Sequence, residues 1–197
     1  MRARACISWA LGLAATGAGL LFACAPQEVV LAELPERPDG GGGIGKPCVG
    51  DDDCEAASFC ARNNCSDATG RCEERPAFCD GAIGISCGCD GITYWNDCLR
   101  RLAGVTAHTE GPCGPTAAIC NRDKACPGTS LCGRLAPPRG RCDAPDMPGH
   151  CWALPATCTG TLAVFETCGP GPVQCRDACA AIRTQAPHRS LDRTTCP

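Results

Sequence analysis

Aromatic side chains are scarce in this chain of 197 residues: four Phe, three Trp and one Tyr make up 4% of it. One conventional core of this length needs more large apolar side chains than that to offset the entropy of ordering the backbone. Histidine is rarer still, with only His108, His150 and His188. None stands beside a nucleophile motif, so the three read as exposed loop residues and the chain does not read as an enzyme. Basic charge is not in excess. Lys and Arg number 18 against 21 Asp and Glu, a formal net charge of −3, which leaves no nucleic-acid footprint. The run Asp51-Asp52-Asp53 lacks the Asp-x-Asp-x-Asp-Gly spacing of a calcium loop and reads as a solvated acidic turn. The longest uncharged apolar run, Ile7 to Phe22, falls short of the ~20 residues of a comfortable membrane span.

Cysteine is what the chain has in abundance, 22 residues of it, with 24 Gly and 17 Pro. That composition marks a disulfide scaffold of several small stapled units with little regular secondary structure. Residues 1–23 read as an export signal, with Arg2 and Arg4 ahead of the apolar run. The run ends Leu21-Phe22-Ala23-Cys24, which resembles a bacterial lipobox. The resemblance implies that Cys24 is lipidated and becomes the mature N-terminus of a membrane-anchored lipoprotein; ordinary cleavage nearby would leave a secreted form. Losing Cys6 and Cys24 this way leaves 20 of the 22 cysteines, an even number able to pair in an oxidising compartment. Zinc binding through Cys87-x-Cys89 or Cys175-x3-Cys179 is accordingly disfavoured against disulfides, and no cofactor is expected. Residues 24–47 hold Pro and the run Gly40 to Gly43, and read as a flexible tether.

The remainder divides into two blocks, each with a front and a rear part: 48–78 and 79–113, then 120–157 and 158–196. Both blocks open with one spacing, Cys48-x5-Cys54-x5-Cys60 and Cys120-x5-Cys126-x5-Cys132, and both contain Gly-Arg-Cys, at Gly70-Arg71-Cys72 and Gly140-Arg141-Cys142. This reads as an internal duplication. In the second rear part, Cys158, Cys168, Cys175 and Cys196 align with Cys79, Cys87, Cys98 and Cys113, though the middle gap is shorter. A helix over Arg176 to Arg183 would put Cys179 and Ile182 on one face.

The stretch from Cys79 to Cys113 carries the clearest local signals. Asp90-Gly91 is a hairpin turn, and Ile92, Thr93 and Tyr94 favour a strand after it. Asn96 can cap a helix holding Asp97, Cys98, Leu99 and Leu102, with Gly104 as its stop and Val105-Thr106-Ala107 returning as a third strand. The expected unit is a short antiparallel hairpin or three-stranded sheet on one short helix, followed by a second, diverged cysteine-rich block.

Cys79, Cys87, Asp90, Gly91, Thr93, Tyr94, Asn96, Cys98 and Cys113 together resemble the Kazal family of disulfide-bonded serine protease inhibitors. The second rear part has the look of a degenerate copy; it lacks Asp-Gly-x-Thr-Tyr-x-Asn, although Cys179 resembles the family's usual helix cysteine. The resemblance implies the bridges Cys79–Cys98 and Cys87–Cys113. The remaining pair is expected to be Cys72–Cys89, although Cys89 is not where the family places its partner. It also implies a protease-binding loop of Asp80, Gly81, Ala82 and Ile83, with Gly81–Ala82 as the bond at risk and with Asn96 and Tyr94 as loop support. Gly81 departs from the pattern, because it offers the protease pocket no side chain. Two functions follow. The first is binding or weak inhibition of an extracytoplasmic serine protease. The alternative is a structural or protein-interaction lipoprotein that uses the unit as a scaffold. If the loop keeps its competent shape, Gly81→Leu or Gly81→Arg is expected to restore inhibition.

Overall fold

Strands in this chain run to only two to five residues, and most of them contain a cysteine. Segments this short do not hold themselves in water, so cross-links and neighbouring strands must fix them. The computed structural model describes residues 42–137, 142, 144, 146–159, 164–168 and 174–190, so the signal, Cys24 and most of the tether lie outside it. Through the described residues the chain forms a small disulfide-rich fold, mostly strands with two short helices.

The first front part has three strands, β1 (Pro47–Cys48), β2 (Ser58–Ala61) and β3 (Gly70–Glu74), in the order β1-β3-β2. Cys60 lies opposite Cys72, and the bridges Cys48–Cys60 and Cys54–Cys72 close the unit. The rear part has β4 (Ser86–Gly88), β5 (Thr93–Tyr94), α1 (Asp97–Leu102) and β6 (Ala107–Glu110). Antiparallel β4 sits between β5 and β6. Asn96 caps α1 by accepting from Leu99 N at 2.9 Å. Gly104, at φ +74°, follows the helix end in the left-handed region that glycine enters without strain. Cys79–Cys98 ties the start of this part to α1, and Cys87–Cys113 ties β4 to its end.

The second block repeats the plan. Its front holds β7 (Ile119–Cys120), β8 (Leu131–Gly133), β9 (Leu135–Ala136) and β10 (Gly149–Ala153). Its rear holds β11 (Val164–Thr167), β12 (Cys175–Asp177), α2 (Ala178–Arg183) and β13 (His188–Ser190). Strand β11 sits between β12 and β13, as β4 sits between β5 and β6. Four bridges have counterparts: Cys48–Cys60 with Cys120–Cys132, Cys54–Cys72 with Cys126–Cys151, Cys65–Cys89 with Cys142–Cys168, and Cys79–Cys98 with Cys158–Cys179. Cys175 is also disulfide-bonded, to a cysteine outside the described residues.

Four sequence expectations are corrected by this register, one of them the alignment of Cys168 with Cys87, since Cys168 closes the bridge that matches the bridge of Cys89. Cys72 and Cys89 do not bond to each other; Cys72 pairs with Cys54 and Cys89 with Cys65. The counterpart of Gly70-Arg71-Cys72 is Gly149-His150-Cys151, since Cys48 faces Gly70 as Cys120 faces Gly149, and Cys60 faces Cys72 as Cys132 faces Cys151. The match at Gly140-Arg141-Cys142 is therefore coincidental, and Cys142 answers to Cys65. Cys98 answers to Cys179 rather than Cys175, because each is the second residue of its helix and bridges to the start of its rear part. Helix α2 lies inside the expected span, with Cys179 and Ile182 both buried.

The blocks are fused by a seam. β5 of the first rear part pairs in parallel with β10 of the second front part, Thr93 opposite Trp152 and Tyr94 opposite Ala153. Trp95 N donates to Ala153 O at 2.9 Å. The Trp95 side chain is 0% exposed, in a cluster with Ala178 and Cys179 flanked by Ile85, Leu99, Trp152, Leu154 and Phe165. We expect Trp95→Ala to lower stability by about 3–5 kcal/mol, the range for emptying a buried aromatic site. Denaturant unfolding at intact disulfides checks this, and a loss under ~1 kcal/mol would mean the seam contributes little.

Candidate functional site

The segment Asp80 to Ile85 has no strand partner and is shaped by three side chains instead. Asp80 accepts from Ala82 N at 3.1 Å, a local turn within the loop. Asn96, while its carbonyl caps α1, turns its amide to the loop and donates to Asp80 O at 3.1 Å and Ala82 O at 2.8 Å. Trp95 Nε1 donates to Gly81 O at 3.1 Å. Gly84 N donates to Trp95 O at 3.0 Å, and the loop then enters β4. Cys79–Cys98 fixes its other end on the helix. The two Asn96 bonds straddle Gly81, so the carbonyls on either side of it point back into the protein.

Gly81 itself faces the second block. A Cβ added there would collide with Thr159 Oγ1 and lie 3.1 Å from Thr157 O. The outward part of the loop is Ala82, Ile83 and Gly84, all exposed, with Phe78 standing 84% exposed just before Cys79. An inhibitory loop needs the reverse at the position implied for Gly81. Its side chain must point out into the pocket, and its carbonyl must be free for the protease's oxyanion donors. Here the side-chain direction is blocked by Thr159 and the carbonyl is taken by Trp95. The expectation that Gly81→Leu restores inhibition changes accordingly, because a larger residue has no room in this arrangement.

Tyr94, expected beside Asn96 as loop support, works elsewhere. Its hydroxyl donates to Asp90 Oδ2 at 2.7 Å, and Asp90 Oδ1 accepts from Ile92 N, so the pair braces the hairpin turn. Burial and the Asp90 carboxylate push the Tyr94 hydroxyl far above its ordinary value, keeping it protonated as the donor. In the second block the helix cap is Asp177, which accepts from Ala180 N at 2.8 Å. An ionised carboxylate has no hydrogen to donate, so the second copy cannot repeat the loop brace that Asn96 supplies.

Other candidate residues have structural partners. Asp53 accepts from Val49 N and Gly50 N, which hold its carboxyl below the usual carboxylate range. Asp51 accepts from Cys60 N and pairs with Arg75 at 2.6 Å. Cys87 and Cys89 sit in separate bridges, and the cysteines that lie close enough together to suggest a metal site are all oxidised, with no thiolate to offer. His108 and His150 are exposed, but His188 is not the loop residue expected. It is 2% exposed in β13, edge-on to Phe165 at 5.2 Å, and burial lowers its pKa below the ordinary value.

Sequence reasoning singled out Asn96 but missed Trp95, Thr157 and Thr159. The available signal for Trp95 was its rarity: one of three Trp, placed between two residues already singled out. We expect Asn96→Asp to keep the helix cap but lose the two loop bonds, lowering stability by roughly 1–2 kcal/mol. Asn96→Ala should lose about 1 kcal/mol more with the cap. Amide exchange should quicken across Ala82 to Gly84 in both variants and along α1 only in the second; equal effects on α1 would show that the brace and the cap are not separable.

Comparison with protein families finds no model that matches this chain, and comparison with curated proteins finds no match either.

Proposed function

We propose that this chain is an extracytoplasmic protein-interaction scaffold, built from two Kazal-like copies and without protease inhibition. The observation that carries the reading is the inward setting of Gly81, with Thr159 against its side-chain position and Trp95 on its carbonyl. The one residue that would enter a protease pocket is instead turned toward the second block, while Asp80, Ala82 and Ile83 are exposed. The braces from Asn96 favour the other reading, a protease-binding loop, since they fix the backbone on both sides of the bond at risk. They are equally suited to presenting Ala82 and Ile83, beside Phe78, as a rigid contact for a protein partner, because a preformed loop loses little entropy on binding.

The reading places the protein outside the cytoplasm, where its disulfides can form and persist. Cys24 holds it to a membrane by acyl chains. The tether is shorter than the expected residues 24–47, because Gly42 N donates to Asp53 O, Gly45 N donates to Cys72 O and Pro47 lies in β1, so residues 42–47 already belong to the fold.

Two experiments test this. Assayed against trypsin-like, chymotrypsin-like and elastase-like enzymes, the native chain should inhibit none, and Gly81→Leu should not create an inhibitor. It should instead be destabilised through the contact with Thr159. Stoichiometric inhibition by either protein would overturn the scaffold reading. Separately, Cys24→Ala should convert a detergent-partitioning, lipid-bearing protein into a soluble exported one. A variant that keeps its partition and mass would rule out the anchor while leaving the inhibition result untouched.

A further inference from the structure

The bridge Cys65–Cys89 differs from the others in its setting. Cys65 is exposed and Cys89 half-buried, whereas in every other bridge with both cysteines described, both are buried or half-buried. Neither cysteine belongs to the buried clusters that hold Cys48, Cys54, Cys60 and Cys72, or Cys120, Cys132 and Cys151. The two instead line a cleft of about 230 Å³ with Gly88, Gly91, His108 and Thr116. The two glycines put no side chain over the sulfurs. Among the described residues no carboxylate lines the cleft, so an approaching thiolate meets no like charge on its walls.

The bridge also holds one loop almost by itself. Residues 62–69 connect β2 to β3. Asn64 N donates to Asp67 Oδ2 at 2.9 Å and Asp67 N donates to Asn64 O at 3.2 Å, a local turn around Cys65. Among the described residues, the hydrogen bonds of residues 63–69 stay within this turn. At the base of the loop, Arg62 N reaches the rear part by donating to Thr106 Oγ1 at 3.2 Å. Opening Cys65–Cys89 therefore frees the loop without opening a core. Cys48–Cys60 and Cys54–Cys72 still close the front part, and Cys79–Cys98 and Cys87–Cys113 the rear. The parts also stay joined, since Arg75 donates to Leu102 O at 3.3 Å and Arg101 pairs with Glu73 at 3.6 Å.

We propose that Cys65–Cys89 is a thiol-exchange site, opened by a thiol reductant while the other bridges stay closed, and that its opening releases the β2–β3 loop from the rear part. Exchange needs a thiolate to reach a sulfur, which is why exposed bridges are the labile ones. The accessible sulfur is that of Cys65. A thiolate RS⁻ attacks it and forms a mixed disulfide there, as the Cys65–Cys89 bond breaks and its electron pair leaves on Cys89. The Cys89 thiolate takes a proton from water, and Ala107 O, 3.5 Å from Cys89 Sγ, can accept from the new thiol. Where the reductant is a dithiol, its second thiolate attacks the reductant's own sulfur in the mixed disulfide. Cys65 then leaves as a thiolate, the bridge has gained two electrons, and the reductant ends as a cyclic disulfide. The site is independent of the loop from Asp80 to Ile85 and of what that loop binds.

The test uses the exported chain carrying Cys24→Ser, so that thiols arise from the bridges alone. After graded dithiothreitol, alkylation and peptide mapping, Cys65 and Cys89 should be labelled at about tenfold less reductant than any other cysteine. At that point near-UV circular dichroism should be unchanged, while amide exchange quickens across Asn63 to Thr69 and not along β2 or β3. Reduced glutathione, a monothiol, should leave a single adduct, on Cys65. Cys65→Ser with Cys89→Ser should take no adduct and show the fast loop exchange without reductant. The proposal is overturned if another bridge opens first, that of Cys175 included, if all bridges open in one cooperative step, or if glutathione attaches elsewhere. Should the double variant fail to fold, the graded reduction of the parent decides alone.

Discussion

Cys48, Cys54, Cys60 and Cys72 form a buried cluster containing no other apolar residue. Two crossed bridges make this cluster, and Phe59, fully buried under Arg75, is the one large apolar side chain beside it among the described residues of the first front part. In the neighbouring cluster, Cys120, Cys132 and Cys151 stand with only Ile92 and Tyr94 as buried members. A chain with 4% aromatic residues thus uses sulfur for two purposes at once. The bridge packs as a small apolar group, and it also removes loop entropy from the unfolded chain. In the chain-entropy model each closure of this size contributes about 3 kcal/mol. Strands of two residues become sufficient, because their register is fixed by bonds rather than by a hydrophobic face. The same dependence confines the fold to an oxidising compartment, since reduction removes both the cross-links and much of the core.

Within that constraint the described residues of the two blocks share the backbone that the bridges dictate and differ in the side chains between them. The four matched bridges, the central strand and the short capped helix persist in both. The sequence Asp90-Gly91-x-Thr-Tyr ahead of the helix does not, and neither does the cap residue. Asn96 and Asp177 do the same work at the helix N-terminus, since either side chain can accept from the third helical amide. Only the amide can also donate. One atom type therefore decides whether the cap residue can also donate to a loop, while leaving the helix indifferent to the change.

This also explains which parts of the structure could be read from the sequence. Asn96 as cap, Gly104 as stop, the turn at Asp90-Gly91 and the helix over Cys179 and Ile182 rest on local chemistry, and each is found where local chemistry put it. Pairings between distant cysteines are not local. The short motif Gly-Arg-Cys at 140–142 is the same three letters as at 70–72, yet the residues that face Cys132 and Cys120 are Cys151 and Gly149. The spacing from Cys151 to Cys158, equal to that from Cys72 to Cys79, carried the true register, but nothing in a single sequence ranks one agreement above another. Cys65 was invisible as a partner of Cys89 for the same reason. The seam was the least legible feature, because parallel pairing over two positions leaves no periodicity to detect.

Gly81 shows how the two levels interact. In the sequence it is an absence: the position that the resemblance aligns with a pocket-filling side chain has none. In the structure it is a fit, because Thr159 and the Thr157 carbonyl occupy the space a side chain would need. Trp95 then links loop and seam through one residue. Its ring fills the cluster between the blocks, and a buried indole N–H must find an acceptor. The acceptor it finds is Gly81 O. Any residue at 81 that moved the backbone would leave that N–H unpaired in the seam, and any change at 95 would free the loop carbonyl. The conformation of the exposed residues Ala82 and Ile83 consequently rests on the second block at Gly81 as well as on Asn96, Trp95 and Cys79–Cys98 of the first. An exposed loop built this way has the rigidity of the whole fused structure behind it, which a single bridged loop does not supply.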